Sequence, residues 1–296
     1  MLSKLNLMPG KFTWHPSHLF NELAVLLFKT GNSVISVKPL GSASIALSAL
    51  IMAGLLVNTA VMATDLAKEK RWKEQLTDGL LDGEVITLND GRNDFIAIDT
   101  RAEEANDVGI IILHGIGVHP DWANVIRPLR LQLAAEGWNT LSLQMPVLAN
   151  DAKVRDYEPL MKEVPARIDA GIRYMSKNDA KKVIIVAHSM GAQMANYYLA
   201  HKKSYREAQT ETPIIAYIGI GMNAGNTKYL KKIKLPILDL YGENDLPGVL
   251  QSKDQRAFSA RSNKKYKQQK VAGADHFFEN QDEDLVKAVK DELLKF

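Results

Sequence analysis

Beyond residue 108 the chain alternates between two hydrophobic rhythms. Short continuous apolar runs occur in "DVGIIILHG" (107–115), "WNTLSLQMP" (138–146), "KKVIIVAHS" (181–189), "PIIAYIGIG" (213–221) and "LPILDLYG" (235–242). Such runs suit strands buried on both faces of a sheet. Between them the apolar residues fall at helical spacing: Trp122, Val125, Ile126, Leu129 and Leu133 ahead of Gly137, then Ile168, Ile172 and Met175. The same period predicts helices over 190–202, 248–262 and 281–295, the last lined by Leu285, Val289 and Leu293. "YKQQKVAG" (266–273) reads as a short edge-like strand. Ahead of all these, "GEVITLND" and "NDFIAIDT" flank the turn "NDGRND" as a hairpin. The pattern predicts an α/β fold with a mainly parallel central sheet, an N-terminal antiparallel hairpin and helices on both faces. Residues 147–165 are polar and irregular, with Pro159 and Pro165, and offer room for at most a minimal lid. One layered domain, 64–296, is expected.

The first 63 residues follow another logic. Lys38 precedes an apolar stretch from Ile45 to Leu56 or slightly beyond, and small residues continue to Ala63. With Val61 and Ala63 three and one positions before a cut, the pattern is that of an export signal cleaved ahead of Thr64. The 37-residue prelude is too long for such a signal, and translation from around Val34 would remove the discrepancy. A retained inner-membrane anchor is the alternative, since Ile45–Ala63 spans 19 residues, near the lower limit for a membrane crossing. Periplasm or cell envelope is therefore the expected location, with membrane association through 45–63 if the segment is uncleaved.

Charge sharpens this division. Of 37 basic and 34 acidic side chains, four lysines and one glutamate lie in residues 1–63, leaving the remainder balanced at 33 of each. A neutral body without an arginine-rich stripe has no electrostatic attraction for nucleic acid. The absence of cysteine excludes disulfides, thiolate nucleophiles and cysteine-ligated metals.

Candidate chemistry sits at the ends of the apolar runs. In "AHSMG", Ser189 falls where a buried strand gives way to a helix, between the small residues Ala187 and Gly191. A serine at such a junction can be a simple helix cap. It can also be a nucleophile, lifted above the sheet edge at a helix N-terminus that favours negative charge. The N–H of Met190 would then face an oxyanion, and the Gly115/Gly117 loop in "LHGIGVHP" could add the N–H of Ile116 or Gly117. Asp245 lies just past one strand end and His276 just past the last, giving the order serine, acid, histidine. A serine hydroxyl needs a histidine to take its proton and an acid to orient that histidine. Glu243, in the same loop as Asp245, is the alternative acid, whereas Asp239 lies inside its strand and reads as a structural partner. His114 reads as a packer of the oxyanion loop and His188 as structural. His119, Met222 and Asn223 are pocket candidates. No metal-binding motif, phosphate loop or dinucleotide fingerprint occurs, so neither metal nor cofactor is expected.

These residues resemble the α/β-hydrolase superfamily over roughly residues 84–296. More narrowly the chain is similar to a bacterial family of exported or envelope-associated α/β-hydrolases. The resemblance implies Ser189 as nucleophile, Asp245 as acid, His276 as base and His114–Gly117 as oxyanion loop. Ala187 departs from the usual glycine two residues before the serine. The expected activity is hydrolysis of a small-molecule or lipid-like ester through an acyl-enzyme, with thioesters and amides also open. A catalytically idle envelope scaffold and an acyltransferase are the alternatives.

Overall fold

The apolar runs pair side by side, as backbone groups removed from water must. The computed structural model describes residues 63–201 and 212–296. Eight strands form one sheet in the order β1-β2-β4-β3-β5-β6-β7-β8. The hairpin is β1 (Glu84–Asn89) and β2 (Asp94–Thr100), antiparallel, and β2 runs antiparallel to β4 (Thr140–Leu143). From β4 onward every pairing is parallel, through β3 (Val108–Leu113), β5 (Lys182–His188), β6 (Ile214–Ile220), β7 (Ile237–Gly242) and the edge strand β8 (Tyr266–Val271). The expected α/β sheet is thus the observed one.

Alternate side chains of each central strand feed opposite layers. On one face Ile111, Leu113, Ile185 and Ala187 pack with α3 (Val164–Lys177) and α4 (Met190–His201). On the other, Ile110, Ile112, Ile184 and Val186 pack with α2 (Ile126–Ala135) and α8 (Asp282–Leu293). The chain leaves β3 toward β4 on one side and returns as β5 on the other. The loops after β3 and β5 therefore diverge, and this switch point is where open parallel sheets leave a crevice.

Three local features depart from the hydrophobic pattern. Trp122 and Val125 precede α2 instead of opening it, and the 248–262 helix is divided into α6 (Pro247–Leu250) and α7 (Lys253–Ala260). The short α5 (Thr227–Leu230) also had no separate periodic signal. A whole helix, α1 (Leu66–Gly79), was not foreshadowed. Its sequence LAKEKRWKEQLTDG lacks a continuous apolar stripe, and Leu76 supplies its buried hydrophobic contact with Ile96 and Ile98. Polar bonds do the rest. Asp65 caps it by accepting from the Lys68 N–H at 2.9 Å, and Lys68 Nζ reaches the Leu148 carbonyl at 3.0 Å. The 147–165 stretch, in turn, is no detached cap. Leu148, Tyr157, Leu160 and Met161 are buried in the core through two short 3₁₀ turns. The apolar stretch from Ile45 lies outside the described residues apart from its last residue, Ala63. Among the described residues no helix is long and apolar enough to cross a membrane.

Asp239 is fully buried in β7 and accepts from Arg256 Nε at 2.7 Å, Tyr266 Oη at 2.6 Å and Gln268 Nε2 at 2.9 Å. Arg256 is equally buried on α7, so this pair fastens α7 and β8 to β7. Removing one partner would leave a buried charge uncompensated. Asp239→Ala is expected to lower stability by about 3–5 kcal/mol in urea unfolding, with Asp239→Asn, which keeps hydrogen-bonding atoms, costing less.

Candidate active site

The turn from β5 into α4 is tight enough to force an unusual backbone. Ser189 has φ 55°, in the left-handed region that a side chain normally avoids. Its N–H is held by the Ile220 carbonyl at 2.8 Å, and its own carbonyl accepts from the Gln193 N–H at 3.2 Å. Two residues on, a β-carbon at Gly191 would lie 2.5 Å from the Leu113 carbonyl oxygen, so only glycine lets α4 start this close to β3. Ala187, on the other side, is paired with Leu113 and Gly219, and its methyl is simply buried in the core. That explains why alanine stands where the motif has glycine.

Three strand ends deliver three side chains to one point. His276 Nε2 is 2.9 Å from Ser189 Oγ, and His276 Nδ1 is 2.6 Å from Asp245 Oδ1. Asp245 is buried and also accepts from the Leu246 N–H at 2.7 Å and the Gly242 N–H at 3.2 Å. These bonds fix both carboxylate oxygens. With the imidazole proton on Nδ1 and donated to Asp245, Nε2 presents its lone pair to the serine hydroxyl. Glu243 points elsewhere: it is exposed, accepts from the Gly273 N–H at 3.0 Å and pairs with Lys270, which holds its carboxyl below the usual range.

His188 and His114 support this arrangement from beneath. His188 Nε2 lies 2.9 Å from the His276 carbonyl oxygen, to which it can only donate, so it ties the elbow to the histidine loop. His114 Nε2 accepts from the Met145 N–H at 2.9 Å, which leaves Nδ1 to donate to the Gly115 carbonyl at 2.8 Å. Burial pushes His114 down to about 3 and His188 down to about 4. The loop after β3 passes against the elbow, since a β-carbon on Gly115 would come 3.5 Å from the Ser189 β-carbon. Gly117 turns the loop at φ 70°, and the Tyr157 hydroxyl nearby accepts from the Leu148 N–H at 3.0 Å. Met190, as the first residue of α4, carries one of the N–H groups that a helix start leaves unpaired within the helix.

The pocket candidates divide. Asn223 caps the turn at 224–226 and lines a groove of ≈ 390 Å³ with Met161, Gln193, Lys228 and Tyr229. Gln193 is one helical turn from Ser189. Met222 is not a wall of this groove. It is fully buried, its sulfur 3.2 Å from Asn196 Nδ2, because β6 turns it back beneath α4. His119 stands edge-on between Trp72 and Trp122, with ring centroids at 5.5 and 6.0 Å, and links α1 to the loop before α2. A wider cleft of ≈ 1080 Å³, between Gly83, Thr100 and Gly137, lies at the opposite end of the sheet from Ser189. Gly221 escaped the sequence reading. At φ 64° it leaves a space where a β-carbon would stand 2.8 Å from His276 Cε1. A glycine directly after an apolar strand was the available signal. Among the described residues no group of three metal-ligating side chains converges.

The fold and the hydrogen-bonded Ser189–His276–Asp245 set define a protein of the α/β-hydrolase fold. The architecture is similar to that of Est1E from Butyrivibrio proteoclasticus (TM-score 0.54, 16% identity, covering 72% of this chain and 98% of the other). It is similar also to a dienelactone hydrolase from Anabaena variabilis (0.56, 16%, 73% and 98%) and the Pyrococcus furiosus esterase Pf2001 (0.58, 16%, 75% and 95%). The sequence matches the family described as "Protein of unknown function (DUF3530)" over residues 58–159 and 151–290, and the chain belongs to that family. No curated protein matches the sequence.

Both supporting histidines fold in the neutral state, with values below the ordinary 6.5. Their contribution to stability is complete above about pH 6.5 and is lost as the pH falls toward 4, because the unfolded chain takes up protons first. Imidazole NMR signals of His114 and His188 are expected to stay those of the neutral ring down to pH 5. A ring titrating near 6.5 would contradict the burial described here.

Proposed function

We propose that the protein is a serine hydrolase that cleaves an ester through an acyl-enzyme on Ser189. The observation that carries this reading is the continuous relay from Asp245 through His276 to a serine held at positive φ. A helix cap requires neither the strained backbone nor a histidine at 2.9 Å. In the reaction Ser189 Oγ attacks the carbonyl carbon while His276 Nε2 takes the hydroxyl proton. Asp245 stabilises the imidazolium and keeps its orientation. The tetrahedral oxyanion is held by the N–H of Met190 together with that of Ile116 or Gly117. His276 then returns its proton to the leaving alcohol. Water, deprotonated by His276 in its turn, releases the acid and restores Ser189. An alcohol leaves more readily than an amine, which favours an ester over an amide. Similarity of fold to esterases agrees with this chemistry without specifying a substrate. Mixed walls, with Met161 and Tyr229 beside Gln193 and Asn223, suit a small ester with an apolar portion. The export pattern before Thr64 supports action in the cell envelope.

A fluorophosphonate probe with mass mapping tests the reading directly. The expected adduct is on Ser189, absent in Ser189→Ala and much slower to form in His276→Ala. A folded wild-type protein that stays unlabelled and turns over no short or medium-chain ester would leave Ser189 as a cap.

The acid is tested separately. Asp245→Asn is expected to lower kcat on an activated ester by about 10⁴-fold, because the imidazole loses its orienting charge. Glu243→Gln should remain close to wild type. The reverse ranking would transfer the acid role to Glu243.

A further inference from the structure

Thr64 is an unusual place to begin a helix strap. Ala63 is exposed, but Thr64 is buried, 7% accessible, with polar bonds on every side. Its hydroxyl lies 2.7 Å from Glu69 Oε1 and accepts from the Val147 N–H at 3.0 Å. Asp65 N–H donates to the Val147 carbonyl at 2.7 Å. The Thr64 nitrogen points at Glu163 Oε1, 3.4 Å away. One backbone N–H is a modest donor for what surrounds it. Glu69, Glu163 and Asp90 gather here around Arg167, which is 2.8 Å from Glu69 and 3.5 Å from Asp90. With Arg92 also facing Glu163, three carboxylates meet two guanidinium groups, and Glu69 Oε2 is buried with no hydrogen-bond partner. Lys68 does not balance them, since its ammonium turns to Leu148 and Asn150. Burial raises both Glu69 and Glu163, as expected of carboxylates short of positive charge.

We infer that Thr64 is the N-terminus of the processed protein, and that its α-ammonium pairs with Glu163 in this carboxylate-rich site. The step is hydrolysis of the Ala63–Thr64 peptide bond by a leader peptidase. One water is consumed, the leader keeps the Ala63 carboxylate, and Thr64 gains the amino group, which protonates. Val61 and Ala63 have the small side chains such a peptidase accepts. Because Thr64 is buried, the cut precedes folding, and the ammonium enters its site as the chain folds. Its extra N–H groups supply the charge the site lacks.

The placement also has a consequence for the groove. Thr64 holds Val147 and Glu163, the two ends of the segment that contributes Val154, Arg155, Glu158 and Met161 to its wall. Thr64 thereby clasps that wall at both ends. The inference does not depend on chemistry at Ser189, so either can fail without the other.

The test starts from the full chain expressed with its own leader in an exporting bacterium. Intact mass and N-terminal sequencing of the recovered protein are expected to give Thr64 with a free amine. Any other N-terminus overturns the proposal. The α-amino group ordinarily titrates near pH 8, and pairing raises it in the folded state. Its stabilisation is therefore full below about pH 8 and lost as the pH rises through the folded value. Facing groups are Lys68 and Glu69 on α1, Glu163 and Arg167 at α3, and Asp90 and Arg92 in the hairpin turn. The Tm of the processed protein should fall more steeply above pH 8 than that of Glu163→Gln, and parallel curves would count against the pairing. A second measurement needs no variant. Periodate oxidises an N-terminal threonine at its amino alcohol, and the folded protein should react on the order of ten-fold more slowly than the urea-unfolded chain. Equal rates would show an exposed terminus and overturn the proposal.

Discussion

The carbonyl oxygens of Leu113 and His114 lie so near Gly191 that no side chain fits between α4 and the end of β3. This contact sets the height at which the helix leaves the sheet, and with it the backbone of Ser189. Holding a serine at φ 55° costs of the order of 1–3 kcal/mol. Such strain persists only where the surroundings determine the backbone more strongly than the residue itself does. Here β5 is paired on both edges, by β3 and β6, and the serine N–H continues the ladder to Ile220. The hydroxyl is consequently placed by the sheet, with little left to its own rotamer.

Once the elbow is fixed, the remaining groups need only reach the same sheet edge. β7 and β8 end two and three places from β5 in the strand order, and their following loops carry Asp245 and His276. The loops are pinned to each other: the Asn244 N–H donates to the Ala274 carbonyl at 2.8 Å, and His188 holds the His276 carbonyl from below. Gly221 then matters because the imidazole ring lies over β6's end, where a methyl would occupy its space. Short-range backbone bonds, rather than the Ser–His–Asp hydrogen bonds alone, keep the geometry in place.

The hydrophobic rhythm disclosed the sheet and most of its helices because burial drove those elements, and burial leaves a period. Ser189, Asp245 and His276 were legible for the same reason, as polar residues at the ends of apolar runs. What remained hidden was held by other forces. Helix α1 docks through Thr64, Lys68 and Glu69, whose polar side chains look solvent-facing in a sequence. The 147–165 stretch has its apolar residues spaced by two 3₁₀ turns, so neither the helical nor the strand period fits. Met222 follows a strand as a groove residue would, yet a positive φ at Gly221 reverses the chain and sends the side chain inward. Such reversals depend on a single dihedral angle and carry no periodic signature.

The neutrality of His188 is what allows one residue to serve both the elbow and the histidine loop. If this ring were charged, it would place a cation 4.8 Å from the His276 ring and oppose any positive charge there. Full burial holds it down at about 4, so the ring is neutral at neutral pH. It can still donate from Nε2, so the His276 backbone is held at no electrostatic cost to the His276 ring. A lysine or arginine could make the same bond only with its charge attached. A neutral donor at this position therefore fixes the His276 backbone without adding charge beside its ring, whose Nδ1 is left to Asp245.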